Sequence, residues 1–317
     1  MRKIAPLHPD AKRIIEILAG LDGGAPPPST VDGMREFARK RARRLRSAPE
    51  EVARVDDRTV ASGSCAVPVR IYYPPGAGSQ PLPAYVYAHG GGFVVGDLDM
   101  VDSLCRTVCR DAGIVVVSVD YRLAPEHPFP AGLDDTIAVA RWVAAEGPAI
   151  GIDPSRLAIG GDSAGGNLAA ATSLALAAGG DVKFRFQVLV YPVTDLTCSE
   201  ASYKDLGTGY PLTADRMRVY IKYYLRNPEE ARDPRASPLL ARSLAGQPPA
   251  LVVLAGLDPL VDEGAAYARR LREAGIEVEV HEVPDFPHGF LGWTGEAQAA
   301  RDSVALIGRR LKARLHA

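Results

Sequence analysis

From about residue 52 onward, short β-branched runs alternate with longer helical patterns, and this rhythm limits the fold more than any other feature. A chain that repeats strand, helix, strand builds βαβ units and a largely parallel sheet. Candidate strands fall near 52–60, 67–73, 84–88, 114–119, 157–160, 186–191, 250–255 and 277–283, and candidate helices near 99–112, 132–145, 164–178, 262–274 and 296–315. Three strands, Ile114 to Val119, Phe186 to Val190 and Leu251 to Leu254, are almost unbroken apolar runs, as expected where helices cover both faces of the sheet. Only Ala61 to Ala66 separate the first two, so they read as an antiparallel hairpin that opens the sheet. The expected architecture is α/β in three layers: a mostly parallel eight-stranded sheet flanked by helices.

Two stretches break the rhythm. Near the N-terminus, Leu7, Ala11, Ile14, Ile15 and Leu18 follow helical spacing, Pro26-Pro27-Pro28 interrupts the chain, and Met34, Phe37, Ala38 and Leu45 mark a second amphipathic helix. That second helix carries Arg35, Arg39, Lys40, Arg41, Arg43, Arg44 and Arg46 against Glu36, a pattern that reads as a solvated face or, less simply, as a patch for an anionic surface. The other stretch runs from Pro192 to Pro248, far longer than an ordinary connection. Its aromatic helical segment, with Tyr210, Met217, Tyr220, Tyr223, Tyr224 and Leu225, argues against disorder and for a functional insertion.

Composition closes off several classes. Thirty-seven Lys+Arg against 38 Asp+Glu leave a net charge of -1, so no overall field draws the protein to nucleic acid or an anionic membrane. Four cysteines in 317 residues make no disulfide framework and favour a reducing compartment. Cys105 and Cys109 lie one helical turn apart with no further Cys or His nearby in sequence, which fits apolar packing better than a zinc site. The apolar run Ile14 to Leu21 contains Glu16 and is too short to span a bilayer, so the expectation is a cytoplasmic protein without a membrane anchor.

The chemistry gathers at Gly161-Asp162-Ser163-Ala164-Gly165, which follows the strand Leu157 to Gly160 and opens an Ala- and Leu-rich helix. A G-x-S-x-G sequence in that context is a nucleophile elbow: the sharp turn strains the serine and lifts its Oγ above the sheet at a helix N-terminus. His89-Gly90-Gly91-Gly92 follows the strand Ala84 to Tyr87, and Phe93 follows it. Three successive glycines cost backbone entropy that an ordinary turn has no need to spend. They suit an oxyanion hole in which Gly91 and Gly92, with Ala164, aim their N–H groups at the carbonyl attacked by Ser163.

Of six histidines, His8 and His316 lie at the termini, His89 belongs to the glycine turn, His127 to a Pro-rich loop and His281 to a strand. His288 remains as the base, in Asp285-Phe286-Pro287-His288-Gly289-Phe290 just past a strand. Its orienting acid is Asp258, one short turn after the strand Leu251 to Ala255, with Asp262 in the next helix as the alternative. All these positions sit at carboxyl ends of expected parallel strands, where ligands bind in open α/β sheets. The chain order Ser, Asp, His fits as well.

These motifs, together with Tyr121-Arg122-Leu123-Ala124-Pro125-Glu126-His127-Pro128-Phe129-Pro130-Ala131 and Leu257-Asp258-Pro259-Leu260, resemble the hormone-sensitive-lipase-like branch of the α/β-hydrolases, bacterial esterases with His-Gly-Gly-Gly and Gly-Asp-Ser-Ala-Gly-Gly motifs. The resemblance implies an α/β-hydrolase fold, Ser163, Asp258 and His288 as the triad, Gly91, Gly92 and Ala164 as oxyanion donors, and hydrolysis of short- to medium-chain carboxylic esters with no cofactor and no metal. It implies that residues 1–50 and 193–229 form one helical cap over a catalytic domain made of 51–192 and 230–317. Pocket candidates are Phe93, Tyr210, Met217, Tyr220 and Tyr224. In similar proteins one of the bonds preceding Pro125, Pro128 or Pro130 is cis. A small ester is the expected partner, and a homodimer along the edge strand 277–283 stays open. Two other readings share parts of the pattern. Hormone receptors similar to this family lack the catalytic histidine that His288 supplies here. Prolyl-oligopeptidase-like peptidases lack the His-Gly-Gly-Gly turn and add a propeller.

Overall fold

The hairpin expected at the head of the sheet is β1 (Arg54–Ser62) and β2 (Cys65–Tyr73), paired antiparallel from Ser62 and Cys65 outward across Gly63 and Ser64. Gly63, at φ 58, supplies the left-handed backbone this tight turn requires. The computed structural model describes residues 4–21, 23–24, 28–76, 78, 80–180 and 182–317; Pro26 and Pro27 lie outside the described residues. The remaining strands are β3 (Leu82–Ala88), β4 (Val115–Val119), β5 (Ile152–Asp162), β6 (Phe184–Val190), β7 (Ala250–Leu257) and β8 (Val278–Pro287). Among the described residues they form one eight-stranded sheet in the order β1-β2-β4-β3-β5-β6-β7-β8, parallel from β4 through β8. Two strands run further than the apolar pattern suggested. β5 starts at Ile152, and β8 continues through Pro284 to Pro287.

In chain order the helices are α1 (Pro9–Leu21), α2 (Val31–Leu45), α3 (Leu98–Ala112), α4 (Ala131–Glu146), α5 (Ala164–Gly179), α6 (Ser202–Asp205), α7 (Ala214–Tyr224), α8 (Val261–Glu273) and α9 (Gln298–Leu315). Successive side chains of a strand point to opposite faces, and β4 divides accordingly. Val115, Val117 and Val119 pack with α4, α5 and α8, whereas Val116 packs with α1, α3 and α9. Cys105 and Cys109 are buried in the second of these layers, where burial raises both thiols, Cys109 to about 12. No helix among the described residues is long and apolar enough to cross a membrane.

Most of the basic residues of α2 are exposed, as a solvated face requires, and several of them also pair with distant groups. Arg35 forks onto Glu126 and donates to the Val94 carbonyl, Arg39 donates to Asp97, and Arg44 shares Glu296 with Arg13 of α1. These contacts hold Glu126 and Glu296 below the usual carboxylate range. Exposed pairs contribute little stability one at a time. Together they seat α1 and α2 on the loops that follow β3, β4 and β8.

The long excursion after β6 is fastened at its root. Asn167, one turn into α5, donates its side-chain amide to the carbonyls of both Val193 and Ala236. The buried carboxyl of Glu263 on α8 accepts the N–H groups of Thr194 and Asp195.

Candidate active site

The turn from β5 into α5 leaves almost no space beside the chain. A Cβ at Gly165 would strike the carbonyls of Ala88 and His89, and one at Gly161 would strike the Ala88 carbonyl and Gly165. With glycine at both positions the helix starts against the end of β3, and Ser163 is held at φ 55, ψ -117, outside the region comfortable for an L-residue. Its N–H donates to the Val190 carbonyl at 2.8 Å, and its own carbonyl accepts from Asn167 and Val193. Backbone bonds on both sides therefore stabilise the strained residue. Its side chain is 7% exposed.

The acid and the base arrive on neighbouring parallel strands. The register of β7 and β8 shifts between Ala255 and Leu257, which brings Leu257 opposite Pro287. Asp258 and His288 are thus the next residues off paired positions. His288 Nδ1 lies 2.6 Å from Asp258 Oδ2, and Nε2 lies 2.9 Å from Ser163 Oγ. A carboxylate only accepts, so Nδ1 carries the proton and Nε2 is left as acceptor for the serine hydroxyl. Asp258 is fully buried, and its second oxygen accepts the Leu260 N–H at 2.9 Å, which fixes the carboxylate plane. Asp262, the alternative acid, instead accepts the N–H of Ser202. The ring of Tyr191, itself at φ 33, lies 4.6 Å from that of His288 and limits its swing.

The glycine turn stands on the other side of Ser163. Gly91 (φ 131) and Gly92 (φ 60) adopt backbone that other residues rarely enter, and a Cβ at Gly91 would collide with the Val95 carbonyl. Among the described residues, no backbone carbonyl accepts from either glycine's N–H, an unusual state for partly covered donors. Ala164 is the first residue of α5, where backbone N–H groups have no intrahelical partner.

Asp162 links this turn to the nucleophile. Its Oδ1 accepts the Gly90 N–H at 2.8 Å and the Tyr87 hydroxyl at 2.5 Å. No sequence motif assigns Asp162 a role, although a carboxylate inside G-x-S-x-G is a signal that it accepts a structural hydrogen bond. Removal of both bonds by Asp162→Ala is expected to lower kcat by about 10²-fold with a smaller change in KM, since misplaced oxyanion donors lose transition-state contacts. Asp162→Asn, which keeps an acceptor oxygen, should restore most of the rate. An equal fall in both variants, or a change confined to KM, would contradict a positioning role.

The Pro-rich segment after β4 supports the turn from below. Tyr121 stacks on His89 at 4.4 Å and donates its hydroxyl to the His89 carbonyl, and Ala124 N–H donates to the Phe93 carbonyl. Two peptide bonds here are cis, Ala124-Pro125 and Phe129-Pro130, where one was expected.

A cavity of about 330 Å³ opens over Ser163, Gly91, Gly92 and His288, within the size range of small-molecule sites. Both irregular stretches line it: Leu18, Met34 and Phe37 from α1 and α2, and Leu212, Met217 and Tyr220 from around α7. Of the five pocket candidates, Met217 and Tyr220 line this cavity, whereas Phe93, Tyr210 and Tyr224 are not among its lining residues. Phe93 and Tyr224 stack face to face at 3.7 Å, both buried, because the Phe129 N–H holds the Tyr224 carbonyl and seats the end of α7 on the glycine turn. Tyr210 packs against the main core, leaving Pro211 and Leu212 to face the cavity. The far wall, which no sequence pattern marks, is made by Met100, Val101 and Leu104 of α3 with Leu291 and Trp293. An amphipathic pattern tells which helix face is covered but not what covers it.

Comparison with known proteins agrees with this geometry. The family profile described as alpha/beta hydrolase fold matches residues 85–292. An ethyl acetate hydrolase of Pseudomonas putida is 36% identical, over 98% of this chain and 99% of its own, and carboxylesterase NlhH of Mycobacterium tuberculosis is 38% identical, over 98% of each. Among solved structures, an alpha/beta hydrolase enzyme from the metagenome of Lake Arreo, Spain, superimposes with a TM-score of 0.94 at 36% identity, covering 98% of this chain and 99% of its own. A hyperthermophilic esterase from Pyrobaculum calidifontis superimposes with a TM-score of 0.89 at 37% identity, covering 98% and 99%. With this fold, these motifs and relatives that match from end to end, the chain belongs to the α/β-hydrolase family, in its hormone-sensitive-lipase-like branch.

Proposed function

We propose that this protein is a serine carboxylesterase acting on short- to medium-chain esters through an acyl-enzyme on Ser163. The observation that carries the reading is the unbroken chain from Asp258 to His288 to Ser163, at 2.6 and 2.9 Å, beside two glycine N–H groups that have no backbone acceptor among the described residues. His288 takes the proton of Ser163 as Oγ attacks the ester carbonyl, then returns it to the leaving alcohol. Gly91, Gly92 and Ala164 hold the oxyanion, and Asp258 keeps the imidazole in its working tautomer and stabilises the imidazolium. Water repeats the sequence on the acyl-enzyme. The names of the relatives, an ethyl acetate hydrolase and carboxylesterases among them, support ester rather than amide substrates.

In this reading α1, α2 and residues 193–229 act together as a cap that sets which acyl groups fit. The experiment is a series of nitrophenyl esters from acetate to palmitate. kcat/KM should be greatest for short or medium chains and fall once the acyl group outgrows the cavity. Turnover that rises steadily to the longest chain, or none with any ester, would overturn it.

A further inference from the structure

The cavity over Ser163 is lined by charged as well as apolar side chains. Three arginines line its cavity, Arg41, Arg46 and Arg216, and among the described residues the one carboxylate facing them is Asp162. Asp162 is already engaged by the Gly90 N–H and the Tyr87 hydroxyl. Arg46 donates to the Asp99 carbonyl, and Arg41 lies 4.0 Å over the Phe37 ring. Arg216 is placed differently. Its guanidinium sits 5.9 Å from the centre of the Tyr220 ring and reaches the Pro28 carbonyl at a long 3.4 Å, and among the described residues no carboxylate pairs with it.

Tyr220 connects that cation to the reacting centre. Its ring lies directly against Gly92, where a Cβ would collide with it. Tyr220 therefore touches both the glycine turn, at Gly92, and the face over which the Arg216 guanidinium lies, and Arg216 lines the same cavity as Ser163. Burial pushes the Tyr220 phenol up, and Arg216 and Arg41 both oppose that shift, so two cations act on the same wall. A half-covered guanidinium without a counter-ion has given up hydration that an incoming carboxylate restores through a matched pair of N–H donors.

Resting on the esterase reading above, we propose that the cavity selects esters bearing a remote carboxylate, monoesters of dicarboxylic acids, with Arg216 binding the free carboxylate while Ser163 attacks the ester carbonyl. The step needs no reactant beyond water. The Oγ–acyl bond forms as the acyl–oxygen bond breaks and the alcohol leaves with the proton from His288, after which water cleaves the acyl-enzyme to release the dicarboxylate. Neutral esters remain substrates because the other walls, with Leu18, Phe37, Met100, Leu104, Met217 and Trp293, are apolar.

The test compares the monoethyl esters of succinic, adipic and suberic acids with ethyl butyrate, hexanoate and octanoate, in the wild type and in Arg216→Gln. At one chain length or more, the wild type should prefer the monoester by about tenfold in kcat/KM. Arg216→Gln should cut that preference by about tenfold, equivalent to about 1.4 kcal/mol. Arg216→Lys should retain part of it, and about 0.5 M salt should reduce it in the wild type. A wild-type preference of one or below at all three lengths, or one that Arg216→Gln leaves unchanged, would overturn the proposal. Turnover of the neutral esters reports on the esterase reading by itself. Should it be absent, calorimetric binding of monoethyl adipate to Ser163→Ala decides the anionic subsite alone: adding Arg216→Gln should weaken Kd about tenfold, and an unchanged Kd would refute it.

Discussion

Ser163→Ala is expected to lower turnover of nitrophenyl butyrate by on the order of 10⁶ and to leave the protein folded. The loss is large because, among the described residues, the hydroxyl held 2.9 Å from His288 Nε2 is that of Ser163, and alanine removes it. His288 would then face a methyl group, and the residual rate would come from the oxyanion donors acting on water. The fold should survive because the contacts of Ser163 that stabilise the elbow are made by its backbone: its N–H to Val190, its carbonyl to Asn167 and Val193. Alanine meets the same backbone strain at φ 55 as serine does. Circular dichroism and thermal unfolding should match the wild type while kcat collapses. A variant retaining even a tenth of the wild-type rate would remove Ser163 from the mechanism.

Asp258→Asn should cost about 10⁴ in kcat by a different route. In the native site one carboxylate oxygen accepts the Leu260 N–H and the other faces His288 Nδ1. An asparagine has one acceptor and one donor end. The Leu260 N–H claims the acceptor, so the amide NH₂ turns toward His288, and Nδ1 must then accept. The ring proton moves to Nε2, where it points at Ser163 Oγ and the imidazole can no longer act as base. Side-chain volume is unchanged, and the buried position loses a charge rather than a contact. The expected signature is therefore a fall in kcat with little change in KM or in unfolding temperature. A parallel loss of stability would instead show that Asp258 holds the fold, and a rate near wild type would show that the imidazole tautomer is set elsewhere.

Most of the candidate site residues were readable from sequence because they follow closely on runs whose apolar character marks them as buried strands: Gly91 and Gly92 after Ala88, Ser163 after Asp162 and Asp258 after Leu257, while His288 was placed by its glycine loop and by elimination among the histidines. A parallel sheet places all such exits along one edge, so proximity in space follows from topology without knowledge of distances. The extension of β8 to Pro287 was not readable, since Pro284 and Pro287 argue against strand. The wall of the cavity was only half readable. Met217 and Tyr220 face Ser163, while Phe93 and Tyr224, equally aromatic and close by in sequence, turn toward each other. The pairing of the α2 arginines was not readable for a related reason. Their acids come from Glu126, Asp97 and Glu296, and nothing local to the helix announces partners so distant in the chain.

The two carbonyls that Asn167 holds belong to residues at opposite ends of the excursion after β6. A loop gripped at its base pays its closure entropy once, and each doubling of the length between the grips adds only about 0.6 kcal/mol. Residues 194–235 are in that sense a cassette plugged into a fixed socket. Lengthening or trimming the segment away from α7 leaves the backbone bonds of Ser163 untouched, whereas α7 itself, with Tyr220 against Gly92 and Tyr224 against Phe93, is the part of the cassette that touches the glycine turn.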